Sequence, residues 1–287
     1  MAEEKKITRR DIIATGAAAG AAIAGNIAST QSATAQTQEI EWHREADVVV
    51  IGTGASGFPA AVAARENGAS VIMVEAQPHV GGHASVSGGH LPLGGGTSIQ
   101  KAAGIDDSPD KVFDDLTDWT VVQPNGFPDY RYNDREVIRA FADNSARTFE
   151  FLLRHGVKFT KTVPDGRNGS SHGNSGPRQM HVAIMDWLLV KNGRQVAPEI
   201  RQTFSSGNGL IQPLYASARE LGVEILLEHR MTTIHREARR SGAVLGIEVT
   251  HNGQAMNIRA RKAVFVGTGG STGNVNFGRM FDPRLTE

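Results

Sequence analysis

The chain has no cysteine among its 287 residues. That excludes disulfides, thiolate zinc sites, cysteine-held iron–sulfur clusters, c-type haem attachment and a cysteine nucleophile. Net charge is absent too: thirty Lys and Arg balance thirty Asp and Glu, so no long-range field draws the chain to nucleic acid or an anionic membrane. There is no internal repeat, and no apolar run that would make a good transmembrane helix. His83 with His90, and His172 with His181, lack HExxH spacing or a nearby carboxylate pattern, so they read as loop histidines and no metal site is expected. Gly269-Gly-Ser271-Thr-Gly273 matches a GxSxG nucleophile elbow, but that fold needs a histidine after the serine and none follows His251. What is abundant is glycine, at 33 of 287 residues against an average near 7%. Seven of these fall between Gly81 and Gly96, a clustering that points to backbone approaching a ligand closely. The length suits one large domain or two modest ones, at roughly 100–200 residues each.

The first 35 residues read as an address. A polar, basic start contains Thr8-Arg9-Arg10-Asp11-Ile12-Ile13, a mild Ala/Gly/Ile stretch runs from Ile12 to Ala28, and Ala33-Thr34-Ala35 gives a small-x-small end. These are the three parts of a secretory signal, and the paired arginines resemble the twin-arginine export signal. Residues 1–35 are expected to be removed, 36–46 form a polar leader, and the mature protein is expected to be periplasmic without a membrane span. Export of this kind carries folded proteins, which suits one that takes up a cofactor in the cytoplasm.

Asp47-Val-Val-Val-Ile51 is a short β-branched run ending in glycine, a buried strand. Phe58 to Asn67 is alanine-rich at helical density and stops at Gly68. Ser70 to Val74 is the next strand, which completes a βαβ unit with parallel pairing. Further helices are expected from Ser108-Pro109-Asp110 to about Thr120, from Asp134 to His155 and from Gly209 to Leu221, the last two closed by glycine. Val223 to Leu227 is a strand. Ala243 to Thr250 and Ala255 to Ala260 flank Asn252-Gly253, a hairpin signal. Ala263 to Val266 is the last strand, and Arg236 to Arg240 reads as a solvated basic turn. The fold class is α/β, Rossmann-like, with a parallel sheet.

Gly52-Thr-Gly54-Ala-Ser56-Gly57 lies directly between the first strand and its helix. The first glycine permits the tight turn, the second lets backbone approach a pyrophosphate, and the third allows helix to pack closely on strand. Glu75 ends the second strand, where an acid accepts hydrogen bonds from a ribose. A second glycine loop follows, Gly81-Gly82-His83-Ala84-Ser85-Val-Ser87-Gly88-Gly89, where a nicotinamide dehydrogenase is expected to enter its next helix.

With this second loop the sequence resembles the FAD-dependent family of fumarate reductase and succinate dehydrogenase flavoproteins, to which ketosteroid dehydrogenases and urocanate reductase belong. Gly207 to Leu227 is similar to that family's helix and strand after its insertion, and Ala260 to Gly270 resembles its AxxAVxxATGG strand and turn. The resemblance implies two FAD-binding stretches, 47–122 and 207–287, around an inserted helical and loop segment, 123–206. It implies that Ser56, Glu75, His83, Ala84, Gly88 and Gly89 contact FAD beside Gly52, Gly54, Gly57, Gly82, Gly269 and Gly270, with the backbone of Met231 near the adenine. Covalent members place a histidine–threonine pair in the second loop. Here the pair is His83-Ala84 in a shorter loop, which implies non-covalent FAD. Phe141 stands where the ketosteroid enzymes use a tyrosine, which argues against a steroid. Arg178 and His181 fall where the family has substrate-side residues; they either bind an anionic group or sit on a surface loop, and no catalytic residue is assigned.

The resemblance further implies hydride exchange between flavin and a carbon next to a carbonyl or carboxylate of a small-molecule substrate, with an unidentified electron donor or acceptor. The family's cap domain and C-terminal return are expected after Glu287, or on a second chain, and little turnover is expected of these residues alone. The alternatives are a catalytically silent FAD-binding fragment and an NAD-dependent Rossmann dehydrogenase.

Overall fold

The computed structural model describes residues 40–117, 134–160, 163–164, 175–183, 206–238 and 241–270, with Asn276 and Arg279. The export signal, Ser271 to Gly273, His172, Arg239, Arg240 and most of the expected insertion lie outside them.

The β-branched run after residue 46 forms β1 (Arg44–Ile51), whose last three residues are buried. A strand covered on both faces reads as continuous apolar sequence, as this one does. It leads through the glycine turn into α1 (Gly57–Glu66) and back to β2 (Val71–Val74), which pairs in parallel with β1, Val48 opposite Val71 and Ile51 opposite Val74. The rest of the chain supplies β3 (His90–Pro92), α2 (Ser98–Ala102), α3 (Pro109–Thr117), α4 (Arg135–Arg154), β4 (Gln179–His181), α5 (Asn208–Glu220), β5 (Glu224–Leu226), β6 (Arg230–Ala238), β7 (Ser241–His251) and β8 (Gln254–Val266).

Three helices end alike. After α1, α4 and α5, the residues Gly68, Gly156 and Gly222 take φ of +79°, +84° and +75°. In each case the glycine N–H and the next N–H turn back to carbonyls of the last turn, as in Gly68 to Arg65 and Ala69 to Ala64. This is the Schellman arrangement, which glycine adopts without steric cost.

The main sheet has the order β5-β2-β1-β8-β7-β6. The first four strands are parallel, and β8, β7 and β6 form an antiparallel meander. Asn252 and Gly253 have φ of +50° and +78°, the two positive angles of the expected hairpin turn. Ala255–Ala260 and Ala263–Val266, expected as separate strands, are one strand here. β8 changes partner along its length, pairing with β7 up to Arg259 and with β1 from Ile258 onward, with a register shift opposite Ala46 to Val48.

Arg236 to Ala238 were expected in a turn and instead belong to β6, still exposed to solvent. That strand is polar on both faces, so no alternation marks it. The short pair β3 and β4, with Leu91 opposite Met180, was not expected either.

Period-two alternation in β1 sends side chains to two cores. Val50 packs with Phe58, Val62, Met73 and Leu214 under α1 and α5, while Val49 and Ile51 join Ile72, Val74, Ile247, Val249 and Ile258 on the other face. β1, β2 and β8 end side by side, with Ile51 opposite Val74 on one flank and Val266 on the other.

Candidate cofactor site

At those strand ends the three glycines of the first turn take distinct roles. Gly52 has φ of +94°, and a Cβ there would stand 2.4 Å from the carbonyl oxygen of Gly267. A Cβ on Gly57 would stand 2.0 Å from the carbonyl oxygen of Gly52. These two are required by protein backbone. Gly54 is different: its nearest neighbour would be the Gly81 carbonyl at 4.0 Å, so its open side is left for a ligand beside the N-terminus of α1.

The turn opens on a cleft of about 790 Å³, within the range of roughly 300–1,000 Å³ usual for cofactor sites. Its walls are Ile51 to Ser56, Glu75 to Gln77, His79 and Val80, Gly82 to Ser85, His229 to Met231 and Gly267 to Gly270. Gly52, Gly54, Ser56, Glu75, Gly82, His83, Ala84, Met231, Gly269 and Gly270 are therefore brought together as expected from the sequence. Gly57 packs behind the turn. Gly88 and Gly89 lie outside the lining, leading into β3, where a Cβ on Gly89 would meet Ser206 at 2.9 Å. Sequence reasoning missed Thr53, Gln77, His79, Ser85, His229, Arg230 and Thr268. Thr53 carried a signal, since a hydroxyl inside the glycine turn is placed to meet the acid.

Glu75 is 8% exposed and ties three segments together. Its Oε2 accepts from the N–H of Thr53 at 3.0 Å and from Thr53 Oγ1 at 2.7 Å, and its Oε1 accepts from the N–H of Gln77 at 3.0 Å. Thr53 Oγ1 in turn accepts from the N–H of Gly81 at 3.1 Å. The carboxylate thus shapes the cleft before any ligand arrives, and each oxygen keeps acceptor capacity for a hydroxyl.

The structure gives Arg178 a different task from anion binding. Its side chain is fully buried, with Nε and Nη2 donating to the two oxygens of Asp107 at 2.8 Å each and Nη1 to Asp115 at 2.6 Å. The guanidinium is clamped between two carboxylates. A Cβ on Gly94 would stand 2.4 Å from Arg178 Cδ, so this glycine makes room for the arginine and not for a ligand. That corrects the reading of the Gly81–Gly96 cluster as wholly ligand-facing. Burial pushes the Asp107 carboxyl up, but hydrogen bonds from Arg178, Gly95 and Gln100, with the arginine's charge, outweigh it and hold the group down at about 2.

His181 is half-buried on β4, its ring edge-on to His90 at 4.2 Å between centroids, with the amide of Gln179 within 3.2 and 3.4 Å of the two rings. Neither histidine lines the cleft. Among the described residues no three His, Cys, Asp or Glu side chains group as metal ligands.

A glycine turn at a helix N-terminus, a buried acid closing the second strand, and a parallel sheet extended by an antiparallel meander define a dinucleotide-binding protein of Rossmann type. The chain belongs to the FAD binding domain family, which it matches over residues 47–285. FAD is accordingly its cofactor, and the open side of Gly54 with the acid at Glu75 fits such a group. The chain is 26% identical over 296 residues to the acrylate reductase flavoprotein subunit of Shewanella woodyi, covering all of this chain and 51% of that protein. It is 26% identical over 245 residues to the cytochrome-type fumarate reductase of Shewanella frigidimarina, covering 85% of this chain and 36% of that one. Among solved structures, the 3-ketosteroid-Δ4-(5α)-dehydrogenase of Rhodococcus jostii RHA1 superposes with a TM-score of 0.67 at 28% identity, covering 87% of this chain and 51% of the other. The chain thus spans about half, or less, of the length of these relatives.

Proposed function

We propose that this chain is the FAD-binding portion of an exported oxidoreductase that reduces a C=C bond next to a carbonyl or carboxylate, or runs the reverse dehydrogenation. The observation that carries the reading is the cleft, in which a three-glycine turn, the buried Glu75 and a second glycine loop converge. Similarity to an acrylate reductase subunit and a fumarate reductase supports the reaction class. Bound FAD supplies hydride exchange, and the protein supplies binding, orientation and electrostatics. Backbone N–H groups at Gly54 and the start of α1 hold the pyrophosphate, Glu75 the ribose and the backbone of Met231 the adenine, with Gly82 to Ala84 along the flavin. His181, steadied by Gln179, is the substrate-side residue; Arg178 is not. An electron donor or acceptor of unassigned kind completes the reaction, and among the described residues no helix is long and apolar enough to cross a membrane.

Titration of the apo chain with FAD tests the reading. FAD is expected to raise the melting temperature, and a rise with NAD but not FAD would overturn it. The flavin is held without a covalent bond, so acid precipitation is expected to leave yellow flavin in the supernatant. Flavin retained on the pellet after washing refutes that part.

Export is the second test. Changing Arg9→Lys together with Arg10→Lys is expected to hold the precursor in the cytoplasm, and wild-type exported material is expected to begin at or near Gln36. An intact Met1 or Ala2 on exported protein, found by N-terminal sequencing, counts against it.

A further inference from the structure

On the cleft wall formed by His229 to Met231, the cofactor reading uses only the backbone of Met231 and leaves the side chain of His229 without a task. His229 immediately precedes β6, beside the acid that follows β2: its N–H donates to the carbonyl of Glu75 at 2.8 Å, and the N–H of Glu228 donates to the carbonyl of Gln77 at 3.1 Å. In a Rossmann cleft the acid marks the ribose, and the base lies beyond it, away from the glycine turn. His229, which lines the cleft, stands on that side.

Its ring is fixed in place. His229 and His251 lie face to face, 4.4 Å between centroids and 4° from parallel. Nδ1 of His229 is 2.6 Å from the carbonyl oxygen of Leu227, and Nδ1 of His251 is 3.1 Å from that of Glu228. A carbonyl only accepts, so in each ring Nδ1 carries the proton and, in the neutral form, Nε2 is an acceptor. His251 Nε2 accepts from the Asn252 amide at 2.9 Å, which anchors the second ring to the β7–β8 turn. Nε2 of His229 has no hydrogen-bond partner among the described residues. The stack therefore holds in place a ring whose Nε2 is left as an acceptor, on a residue of the wall where the base belongs.

We propose that His229 selects the adenine of the dinucleotide, its Nε2 accepting a hydrogen bond from the exocyclic amine while His251 fixes the ring. This rests on the FAD reading above and adds a residue and a chemical preference to it. A base carrying a carbonyl oxygen in place of that amine sets acceptor against acceptor. A site built around a hydrogen bond rejects a ligand that cannot make it more strongly than an apolar pocket rejects a change of shape.

The experiment compares two ligands on the full chain: FAD, and its hypoxanthine analogue in which the 6-amino group is a carbonyl. Binding is followed by flavin fluorescence. The wild-type chain is expected to bind FAD roughly tenfold or more tighter than the analogue. His229→Phe keeps a flat ring over His251 but has no acceptor; it is expected to bind both ligands within about twofold of each other, a change far below that of losing one such bond. Equal affinities in the wild type, or an undiminished preference in His229→Phe, overturn the inference while leaving FAD binding intact. If that variant does not fold, as read from circular dichroism, His229→Leu, which likewise has no acceptor, takes its place with the same loss of preference expected. No binding of FAD to the wild-type chain overturns both readings.

Discussion

Arg178→Met is expected to lower the unfolding free energy by about 3–5 kcal/mol, the usual cost of removing one partner from a buried ion pair. The substitution keeps apolar bulk beside Gly94 but leaves two carboxylates behind. Asp107 has a fully buried side chain and Asp115 one that is 14% exposed. The N–H of Gly95 and the amide of Gln100 still donate to Asp107, at 2.7 and 2.8 Å, so part of its charge stays solvated by protein, but the countercharge is gone. Urea denaturation checks this through the midpoint at unchanged slope. Adding Asp107→Asn to Arg178→Met is expected to restore part of the loss, because it removes the more deeply buried of the two unpaired charges. A loss below about 1 kcal/mol, the range of exposed pairs, would show that the clamp is not structural.

The same cluster sets an acid limit. Asp107 titrates at about 2 in the folded chain and near 3.9 when unfolded. Between these values the unfolded state binds more protons, so stability rises with pH there. The contribution is complete above about pH 4 and is lost as pH falls toward 2. In Arg178→Met, Asp107 lacks the countercharge that holds it down, so its folded-state and unfolded-state titrations draw together and this acid-dependent loss is expected to shrink.

Glu75→Ala is expected to weaken FAD binding by at least about a hundredfold, through charge-assisted hydrogen bonds lost to the ribose at about 1.5–3 kcal/mol each, and to lower stability as well. Within the protein the carboxylate makes three charge-assisted hydrogen bonds, to the N–H and hydroxyl of Thr53 and the N–H of Gln77. Without it the buried Thr53 N–H loses its acceptor, the glycine turn loses its link to β2, and the ribose loses its anchor. Fluorescence titration measures the change, and Glu75→Gln, which keeps acceptor oxygen but not charge, is expected to lie between the two. An unchanged affinity in Glu75→Ala would remove the acid from the cofactor site.

Legibility followed the range of the interactions. The parallel β1–α1–β2 unit, the three glycine-closed helices and the Asn252-Gly253 hairpin were readable because each rests on neighbours within a few residues: β-branched runs, a residue at positive φ, a turn type. The cofactor turn was readable for the same reason, since Gly52, Gly54, Ser56 and Gly57 sit together on the chain. β6 was not, because a polar strand carries no alternation, and its place in the sheet comes from pairing with β7.

Long-range contact explains the rest. His229 and Arg230 reach the cleft through hydrogen bonds between the segment after β5 and the carbonyls after β2, more than 150 positions apart in sequence. Arg178, in a glycine-rich stretch, reads from sequence as either an anion ligand or a surface-loop residue. Its partners, Asp107 and Asp115, lie 71 and 63 positions away, too far for spacing to reveal, and only folding brings them to a buried guanidinium. The sequence by itself determined that this chain builds a nucleotide turn and that the turn belongs to a flavoprotein. The tertiary structure decided which charges face the cofactor and which neutralise one another inside the protein, because a charge's role depends on the partner and the solvent that folding leaves beside it.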